Sequence, residues 1–231
     1  MQRALDVTTS WAASVLRLGV GLATPGARTQ PEKPLELYEF EACPFCRKVR
    51  EMLTMLDLDA IIYPCPRGGT RFRPEVVARG GQAQFPYLVD PNTGTSLYES
   101  DAINQYLATT YGDGSVPIPL RLGPLSTLGS ALASLPRPGR GRASRPSHLP
   151  AKMLELYSFE ASPYCRLVRE VLCELELPYH LHNVAKGSPR RAAFVARSGK
   201  MRVPYLVDPN TEREMFESAD IVAYLRETYG A

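Results

Sequence analysis

Apolar and polar positions alternate along the chain in blocks that predict short strands and amphipathic helices. Leu35–Phe40 alternates with a period of two, which is typical of a strand with one buried face. Pro44 stands at the favoured first position of the next helix, which runs to about Leu56. The later elements are a strand (Ala60–Tyr63), a short helix (Pro74–Arg79), a strand (Tyr87–Val89), a turn (Pro91–Gly94), a strand that ends at Tyr98 and a helix (Ser100–Tyr106). The predicted order is therefore β-α-β-α-β-β-α.

The same pattern occurs a second time. Leu154–Leu177 matches Leu35–Leu58 at 16 of 24 positions, and both copies continue into the octapeptide PYLVDPNT. Weaker matches, such as Ser10 with Ser130, extend the duplication to the flanks, so we expect a short helix before each unit. The second of these helices carries a leucine stripe on one face: Leu125, Leu128, Leu132 and Leu135. We predict four segments: an N-terminal segment with a short amphipathic helix (1–34), a first repeat (35–112), a basic Pro- and Gly-rich linker with a short helix (113–153) and a second repeat (154–231).

Composition and charge narrow the class of protein. Of the 231 residues, 44% are hydrophobic and 22% charged, so the chain can bury a core and is not of the disordered class. The net charge is +3, but residues 113–153, with six basic residues and one acidic residue, carry +5, so the rest of the chain carries −2. This segment lacks the interleaved aromatic residues that are typical of a protein that binds single-stranded nucleic acid. Elsewhere in the chain too, no apolar run reaches the roughly 18 residues that a membrane span needs. We expect a solvated spacer and neither a nucleic-acid partner nor a membrane span.

Cysteine usage indicates a reducing, intracellular compartment, either the cytoplasm or the plastid stroma. The chain has five cysteines, an odd and small number for its length: Cys43, Cys46, Cys65, Cys165 and Cys173. It also lacks a clean secretory signal, so it does not resemble a secreted protein that is held together by disulfides. We expect Cys65 to be structural or a loose thiol, and Cys173 to be exposed and incidental. His180 and His182 have no carboxylate nearby in the sequence and His148 lies in the linker, so we predict no catalytic role for them.

The segment Cys43-Pro44-Phe45-Cys46 carries the chemistry of the first repeat. Cys43 falls at the N-cap of a helix, where free backbone N–H groups and the positive end of the helix dipole favour thiolate over thiol. Cys46 follows one turn later on the apolar face, as expected of a sheltered thiol that resolves a mixed disulfide. A structural zinc site would need a second C-x-x-C or a histidine pair with ligand spacing, so we predict no metal. Inert packing remains an alternative.

Three motifs in this order resemble glutaredoxins and the N-terminal thioredoxin-like domain of glutathione transferases. The first repeat carries CPFC, then F-P-Y-L-V-D through Pro86, then Tyr98–Ile103; the second carries Val203–Tyr205 and Phe216–Ile221. The arrangement looks like the tandem proteins of this type in plants, algae and bacteria. The resemblance implies an α/β fold of two tandem thioredoxin-like domains, each with a four-stranded mixed sheet, and glutathione as co-substrate.

The resemblance also implies the residues that bind glutathione. It places a cis bond before Pro86 and before Pro204, facing the active position, and leaves the backbone of Phe85, and of Val203 in the second repeat, free for the cysteinyl part of glutathione. The carboxylate of Glu99 would hold the γ-glutamyl ammonium, and Ser100 with its helix start would receive the γ-glutamyl carboxylate. The second repeat has the same pair as Glu217 and Ser218. An ordinary helix cap is the alternative for both pairs.

The two repeats differ at the active position. Ser162 replaces Cys43, while Cys165 stands where Cys46 does and reads as a buried filler. We therefore predict a glutathione-linked thiol-disulfide oxidoreductase whose first repeat performs redox turnover on disulfide or glutathionylated substrates and whose second repeat binds glutathione or a partner. Two alternatives remain: a non-catalytic module that binds glutathione or a protein, and conjugation of the transferase type. The second is weakened because each repeat is followed only by a linker or the chain end.

Overall fold

The computed structural model describes residues 2–16, 19–24, 29–121, 124–132, 137 and 139–231. A first helix precedes the first repeat, which follows the predicted order of elements. Two further short helices then lead to the second repeat. The elements are α1 (Gln2–Leu16), β1 (Leu35–Glu39), α2 (Pro44–Met55), β2 (Ala60–Pro64), α3 (Arg73–Gly80), β3 (Tyr87–Asp90), β4 (Thr95–Tyr98), α4 (Ser100–Tyr111), α5 (Ile118–Arg121) and α6 (Pro124–Leu132).

The second repeat has the same elements in the same order. They are β5 (Leu154–Ser158), α7 (Pro163–Glu174), β6 (Tyr179–Asn183), α8 (Arg191–Ser198), β7 (Tyr205–Asp208), β8 (Arg213–Phe216) and α9 (Ser218–Tyr229). In each repeat, the first two strands are parallel and the last two are antiparallel to their neighbours. The predicted α/β class with a mixed sheet in each copy is confirmed.

The two repeats join through their second strands. β2 pairs with β6 in antiparallel register, with Ile61 opposite His180 and Ala60 opposite Leu181. Each of these strands would otherwise leave a row of unpaired backbone groups at the edge of its own sheet. The pairing removes both edges, and within the described residues it gives one eight-stranded sheet of order β4-β3-β1-β2-β6-β5-β7-β8.

Alternation along the strands produces two apolar faces. Leu35 and Leu37 of β1 and Leu154 and Leu156 of β5 point to one face, where a continuous core under α2, α4, α7 and α9 includes buried residues from both repeats. On the opposite face each repeat has a separate cluster; the first contains Tyr38 and is covered by α3. The shared core binds the two repeats into one packed unit.

The flanking helices cross between the repeats. α1 precedes the first repeat but packs on α7 of the second, where the Ser10 hydroxyl donates to the Pro163 carbonyl at 2.7 Å. α6 packs on α2 of the first repeat, and Ser130 donates to the Pro44 carbonyl at 2.9 Å. The matching serines of the duplicated flanks therefore make equivalent bonds.

The predicted leucine stripe is not the buried face of α6. Leu128 and Leu132 are 55% and 44% exposed, while Ser130 is fully buried. The close approach to α2 favours a small polar residue whose hydroxyl can satisfy a helix carbonyl. The side chain of Leu125 and residue Leu135 lie outside the described part of the chain.

The linker is not the solvated spacer expected from its composition. Arg137 is buried and donates to Glu170. Gly141 has a φ of 61° and lies so close to Glu41 that a Cβ would come within 2.7 Å of that side chain. Its carbonyl accepts from the Ala42 amide at 3.2 Å. The described linker residues thus pack against both repeats, and part of their positive charge is neutralised internally.

A ring of four buried charges lies between the repeats. Arg50 is 3.3 Å from Glu41 of its own repeat and 3.0 Å from Glu160 of the other. Arg169 is 3.0 Å from Glu41 and 2.8 Å from Glu160. Burial alone would raise the pKa of Glu160, but the surrounding guanidiniums, with Arg169 first, lower it to about 2. These equivalent residues form reciprocal ion pairs across the junction.

Candidate functional site

The first candidate site is the N-terminus of α2. Cys43 is its N-cap, with extended backbone angles of −73° and 122°, and its Sγ accepts from the Cys46 amide at 3.3 Å. A hydrogen bond from the Cys46 thiol is the largest of several influences that lower the pKa of Cys43 from its usual value, and backbone N–H groups add to it. The predicted N-cap position of Cys43 is confirmed, and this position favours the thiolate.

Cys46 has the opposite environment. Its side chain is fully buried. This burial raises the pKa of Cys46 well above its usual value, and the hydrogen bond that it gives to Cys43 has the same effect. One thiol of the pair is thus stabilised as thiolate and the other as thiol, as a nucleophile and a protonated second thiol require.

A cavity of about 580 Å³ lies beside Cys43, and Phe45 and Phe85 are among the residues that line it. The Phe85–Pro86 bond is cis, as the family resemblance implies. The guanidinium of Arg73 lies 4.6 Å from the centre of the Phe85 ring, which brings a positive charge to the cavity. The Cys43 thiol, apolar side chains and a cation therefore border one cavity.

The glutamates before α4 and α9 have unusual backbones. Glu99 and Glu217 both have a φ of 66°, which costs on the order of 1–3 kcal/mol for a residue other than glycine. Both glutamates stand at the N-cap position, but neither side chain makes a capping hydrogen bond. Ser100 and Ser218, the first residues of the two helices, are buried. Both repeats therefore hold an exposed carboxylate at the entrance of a helix.

The cavities of the two repeats are lined by different subsets of the residues predicted to bind glutathione. Glu99 and Ser100 do not line the cavity beside Cys43, although Gln84, which does, donates a hydrogen bond to Glu99. In the second repeat a cavity of about 370 Å³ is lined by a more complete set: Tyr164, Arg202, Val203, Pro204, Glu217 and Ser218. The Val203–Pro204 bond is also cis.

The position equivalent to Cys43 is a helix cap in the second repeat as well. Ser162 is the N-cap of α7, and its Oγ accepts from the Cys165 amide at 3.3 Å, the same distance as in the first repeat. Cys165 is fully buried, and this burial raises its pKa. Exchange of sulfur for oxygen has therefore left the local geometry unchanged.

Glu99 and Glu217 are equivalent residues of the two repeats, but their carboxylates contact different side chains. The partner of Glu99 is the neutral amide of Gln84, whereas the partner of Glu217 is the cation Arg202. Arg202 and Glu217 are 59% and 46% exposed, so their ion pair is weak in water. The equivalent carboxylates thus differ in that Glu217 has a cationic partner and Glu99 a neutral one.

Sequence reasoning missed one buried acid near the cysteines. Glu39 ends β1 and is 2% exposed. Burial raises the pKa of Glu39 to about 7, although Arg50, which donates to it, acts in the opposite direction. The equivalent residue of the second repeat is Ser158. This difference between the two copies is the sequence feature that could have drawn attention to Glu39.

The other cysteines are buried. Cys65 is fully buried, and this burial raises its pKa, in keeping with a structural role. The expectation that Cys173 is exposed is wrong, since its side chain is 2% exposed. Its Sγ contacts the Glu41 amide and the Gly141 carbonyl, both at 3.4 Å. Cys173 lies off the apolar face of α7, but Glu41 and Gly141, which are distant in the sequence, cover it.

Both repeats match a known protein family. The family described as "Glutathione S-transferase, N-terminal domain" matches residues 37–115 and 156–231. A solved glutathione transferase of Bombyx mori is 30% identical, with a TM-score of 0.32, over 36% of this chain and 38% of that chain. A delta-class glutathione transferase of Nilaparvata lugens is 32% identical, with a TM-score of 0.29, over 34% of this chain and 37% of that chain.

The chain thus spans less than two fifths of the length of these two relatives, and no curated protein matches it. Within the described ranges, no helix has both the length and the apolar character that crossing a membrane requires. The two matched ranges cover more than half of the chain and fall on the two thioredoxin-like repeats. The protein belongs to the glutathione S-transferase N-terminal domain family and carries that domain twice in tandem.

Proposed function

We propose that the protein is a glutathione-linked thiol-disulfide oxidoreductase whose reacting group is Cys43. The observation that carries this proposal is the contrast between two neighbouring thiols. Cys43 caps α2 and accepts from the Cys46 thiol and amide, which lowers its pKa, whereas Cys46 is fully buried, which raises its pKa. A cavity opens beside the thiolate and not beside the protonated thiol. This is the arrangement that disulfide exchange needs.

The reaction proceeds by two exchanges. The Cys43 thiolate attacks one sulfur of the substrate disulfide, forms a mixed disulfide and releases the other sulfur as a thiolate, which takes up a proton. The Cys46 thiol then loses its proton and attacks Cys43, which releases the reduced substrate and leaves a Cys43–Cys46 disulfide. Two molecules of glutathione reduce this disulfide and leave as oxidised glutathione. A glutathione mixed disulfide on Cys43 can instead be resolved directly by a second glutathione.

We assign the second repeat to binding. Ser162 has the same N-cap geometry as Cys43, but its hydroxyl is far too weak an acid to act as a thiolate at neutral pH. It can donate a hydrogen bond to the sulfur of a bound glutathione. The lining of the neighbouring cavity by Val203, Pro204, Glu217 and Ser218 supports glutathione, or a glutathionylated partner, as the ligand.

The direct test is reduction of a small mixed disulfide of glutathione by the full chain, with glutathione as the electron donor. Formation of oxidised glutathione is followed with glutathione reductase and NADPH, and a thioredoxin-type reductant is compared at equal thiol concentration. Turnover with glutathione supports the proposal. A rate equal to that of the uncatalysed exchange with both donors would contradict it.

Glutathione affinity is expected to depend on the two exposed carboxylates. Glu99→Gln removes the charge that we assign to the γ-glutamyl ammonium, and a charge-assisted hydrogen bond is worth about 1.5–3 kcal/mol. We therefore expect affinity at the first site to fall by roughly tenfold to a hundredfold. Isothermal titration calorimetry measures it, and Glu227→Gln, on the exposed surface of α9, controls for net charge.

The unequal partners of these carboxylates allow a reciprocal test. Gln84→Arg gives Glu99 the cation that Glu217 has, and should weaken glutathione binding at the first site. Arg202→Gln removes that cation and should strengthen binding at the second. Unchanged affinities in both variants would show that neither carboxylate contacts the ligand.

A further inference from the structure

A side-chain cluster outside both candidate sites lies at the junction of the repeats. His180 and His182 alternate along β6 and therefore point to the same face of the sheet. The antiparallel register with β2 places Asp59, the residue before that strand, opposite His182. One ligand atom from each of these three residues lies within 4.8 Å of the other two. The carboxylate that the sequence did not show near the histidines thus comes from the other repeat.

We propose that Asp59, His180 and His182 bind a divalent transition-metal ion of the zinc type. Imidazole nitrogens and a carboxylate oxygen are ligands that zinc accepts, and three protein ligands leave a fourth position for water. The site takes ligands from both repeats, so an ion bound there would tie β2 to β6. None of the three residues lines the cavity beside Cys43 or the cavity of the second repeat. We assign the ion the role of holding the junction rather than of performing the redox step.

The ligand atoms are held in place by contacts of the kind that support metal sites. Oδ2 of Asp59 is 3.0 Å from Nδ1 of His182, while Oδ1 accepts from the Asn183 amide at 2.8 Å and from Arg190. The other ring nitrogen of His182 is 3.3 Å from the carboxylate of Glu155. Nε2 of His182 is buried and makes no hydrogen bond in this arrangement. Glu155 is a carboxylate near enough to accept from it, and such an acceptor orients a ligating histidine and raises its basicity.

Ring stacking fixes the orientation of the histidines further. Tyr157 stacks on His182 with ring centres 4.5 Å apart and an angle of 24° between the planes. The two imidazoles are 4.2 Å apart. These contacts leave little side-chain motion to be lost on binding.

The charge around the cluster also suits a divalent cation. Arg190 pairs with Asp57 as well as Asp59, and Arg197 pairs with Glu214 and lies near Glu155. Four carboxylates thus surround two guanidiniums, and the excess negative charge equals the charge of one divalent ion. This balance explains how the site could accept a cation beside two arginines.

The first repeat shows that the cluster is not a consequence of the duplicated fold. The residues equivalent to Asp59, His180 and His182 are Pro178, Ile61 and Tyr63, none of which is a usual metal ligand. Tyr63 stacks on Tyr38 just as His182 stacks on Tyr157, with centres 4.7 Å apart. The second repeat keeps the stacked ring and adds ligand nitrogens.

The test is titration of the full chain with Zn²⁺ by isothermal calorimetry. The reference chain and every variant carry Cys43→Ser, so that zinc held by free thiols at the redox site does not contribute to the heat measured. We expect saturable binding of one ion, at least about tenfold weaker in His182→Gln and in Asp59→Asn, and about tenfold to a hundredfold weaker in Glu155→Gln. His148→Gln, a histidine exposed in the linker, is the matched control and should bind as before.

Two further measurements keep the outcome decisive. Circular dichroism establishes that each variant is folded, and Asp59→Asn preserves the side-chain shape if His182→Gln does not fold. Thermal unfolding should show a Zn²⁺-dependent rise in Tm that these variants lose and His148→Gln keeps. Absence of saturable binding, or equal binding by His182→Gln and His148→Gln, would overturn the proposal and leave the cluster as a hydrogen-bonded contact between the repeats.

Discussion

Cys43→Ser is expected to abolish turnover of the glutathione mixed disulfide, with a loss of at least about a hundredfold. The protein itself shows that this change is tolerated structurally. Ser162 occupies the equivalent N-cap with the same 3.3 Å hydrogen bond from the helix, so the substitution should leave α2 and its packing intact. The loss would therefore report the chemistry of the thiolate rather than damage to the fold.

The companion variant separates the two thiols. Cys46→Ser should retain turnover of small glutathione mixed disulfides, because a second glutathione can resolve Cys43 directly. It should lose the route that depends on a Cys43–Cys46 disulfide. Because the Cys46 thiol also donates to Cys43, Cys46→Ala, which has no side-chain donor, should shift the pH–rate profile towards higher pH. An inactive Cys46→Ser would instead mean that both thiols are required for every substrate.

The second repeat provides the reciprocal experiment. Ser162→Cys in a Cys43→Ser chain places a thiol at an N-cap with the same helix geometry, and some activity should return. Activity retained in full by Cys43→Ser would remove the assignment of the nucleophile. Failure of Ser162→Cys to react would show that features outside the N-cap, such as the cavity beside Phe85, are also needed.

The parts of this structure that the sequence predicts are local ones. The strand at Leu35–Glu39, the helix that begins at Pro44 and the N-cap position of Cys43 follow from periodicity and capping over a few residues. The resemblance supplied the cis bonds before Pro86 and Pro204, which no pattern of apolar residues indicates. Local rules therefore place the first candidate site well.

The features that the sequence did not predict depend on contacts between distant segments. The alternation in β2 and β6 marks each as a strand but does not identify the other as its partner. The burial of Cys173 depends on Gly141 of the linker, and the acid beside His182 is 123 residues away. From the sequence alone, charged residues such as Arg50 and Glu160 are expected at the surface, because they are buried and paired only when the two repeats pack together.

That last pair carries the largest expected effect on stability. Glu160→Gln would leave the buried guanidiniums of Arg50 and Arg169 with one carboxylate fewer, and breaking a buried ion pair costs about 3–5 kcal/mol. Urea denaturation followed by circular dichroism measures the free energy of unfolding. Glu227→Gln, which removes an exposed glutamate, should change it by less than about 0.5 kcal/mol.

The pH dependence gives an independent measure of the same interaction. The pKa of Glu160 is lowered from 4.5 to about 2 in the folded protein, so its contribution is fully present above pH 4.5 and is lost as the pH falls towards 2. The corresponding contribution is about 3 kcal/mol. Glu160→Gln should show a flatter loss of stability over this range than the unmodified chain.

A double-mutant cycle tests whether the ring joins the two repeats. Arg50→Gln and Glu160→Gln lie in different repeats, and their combined effect should be smaller than the sum of the two by about 0.5–3 kcal/mol, because each removes the partner of the other. Additive effects, or a loss below about 1 kcal/mol for Glu160→Gln, would mean that desolvation cancels the attraction within the ring. The pairing of β2 with β6 and the shared apolar core would then be the interactions that stabilise the junction.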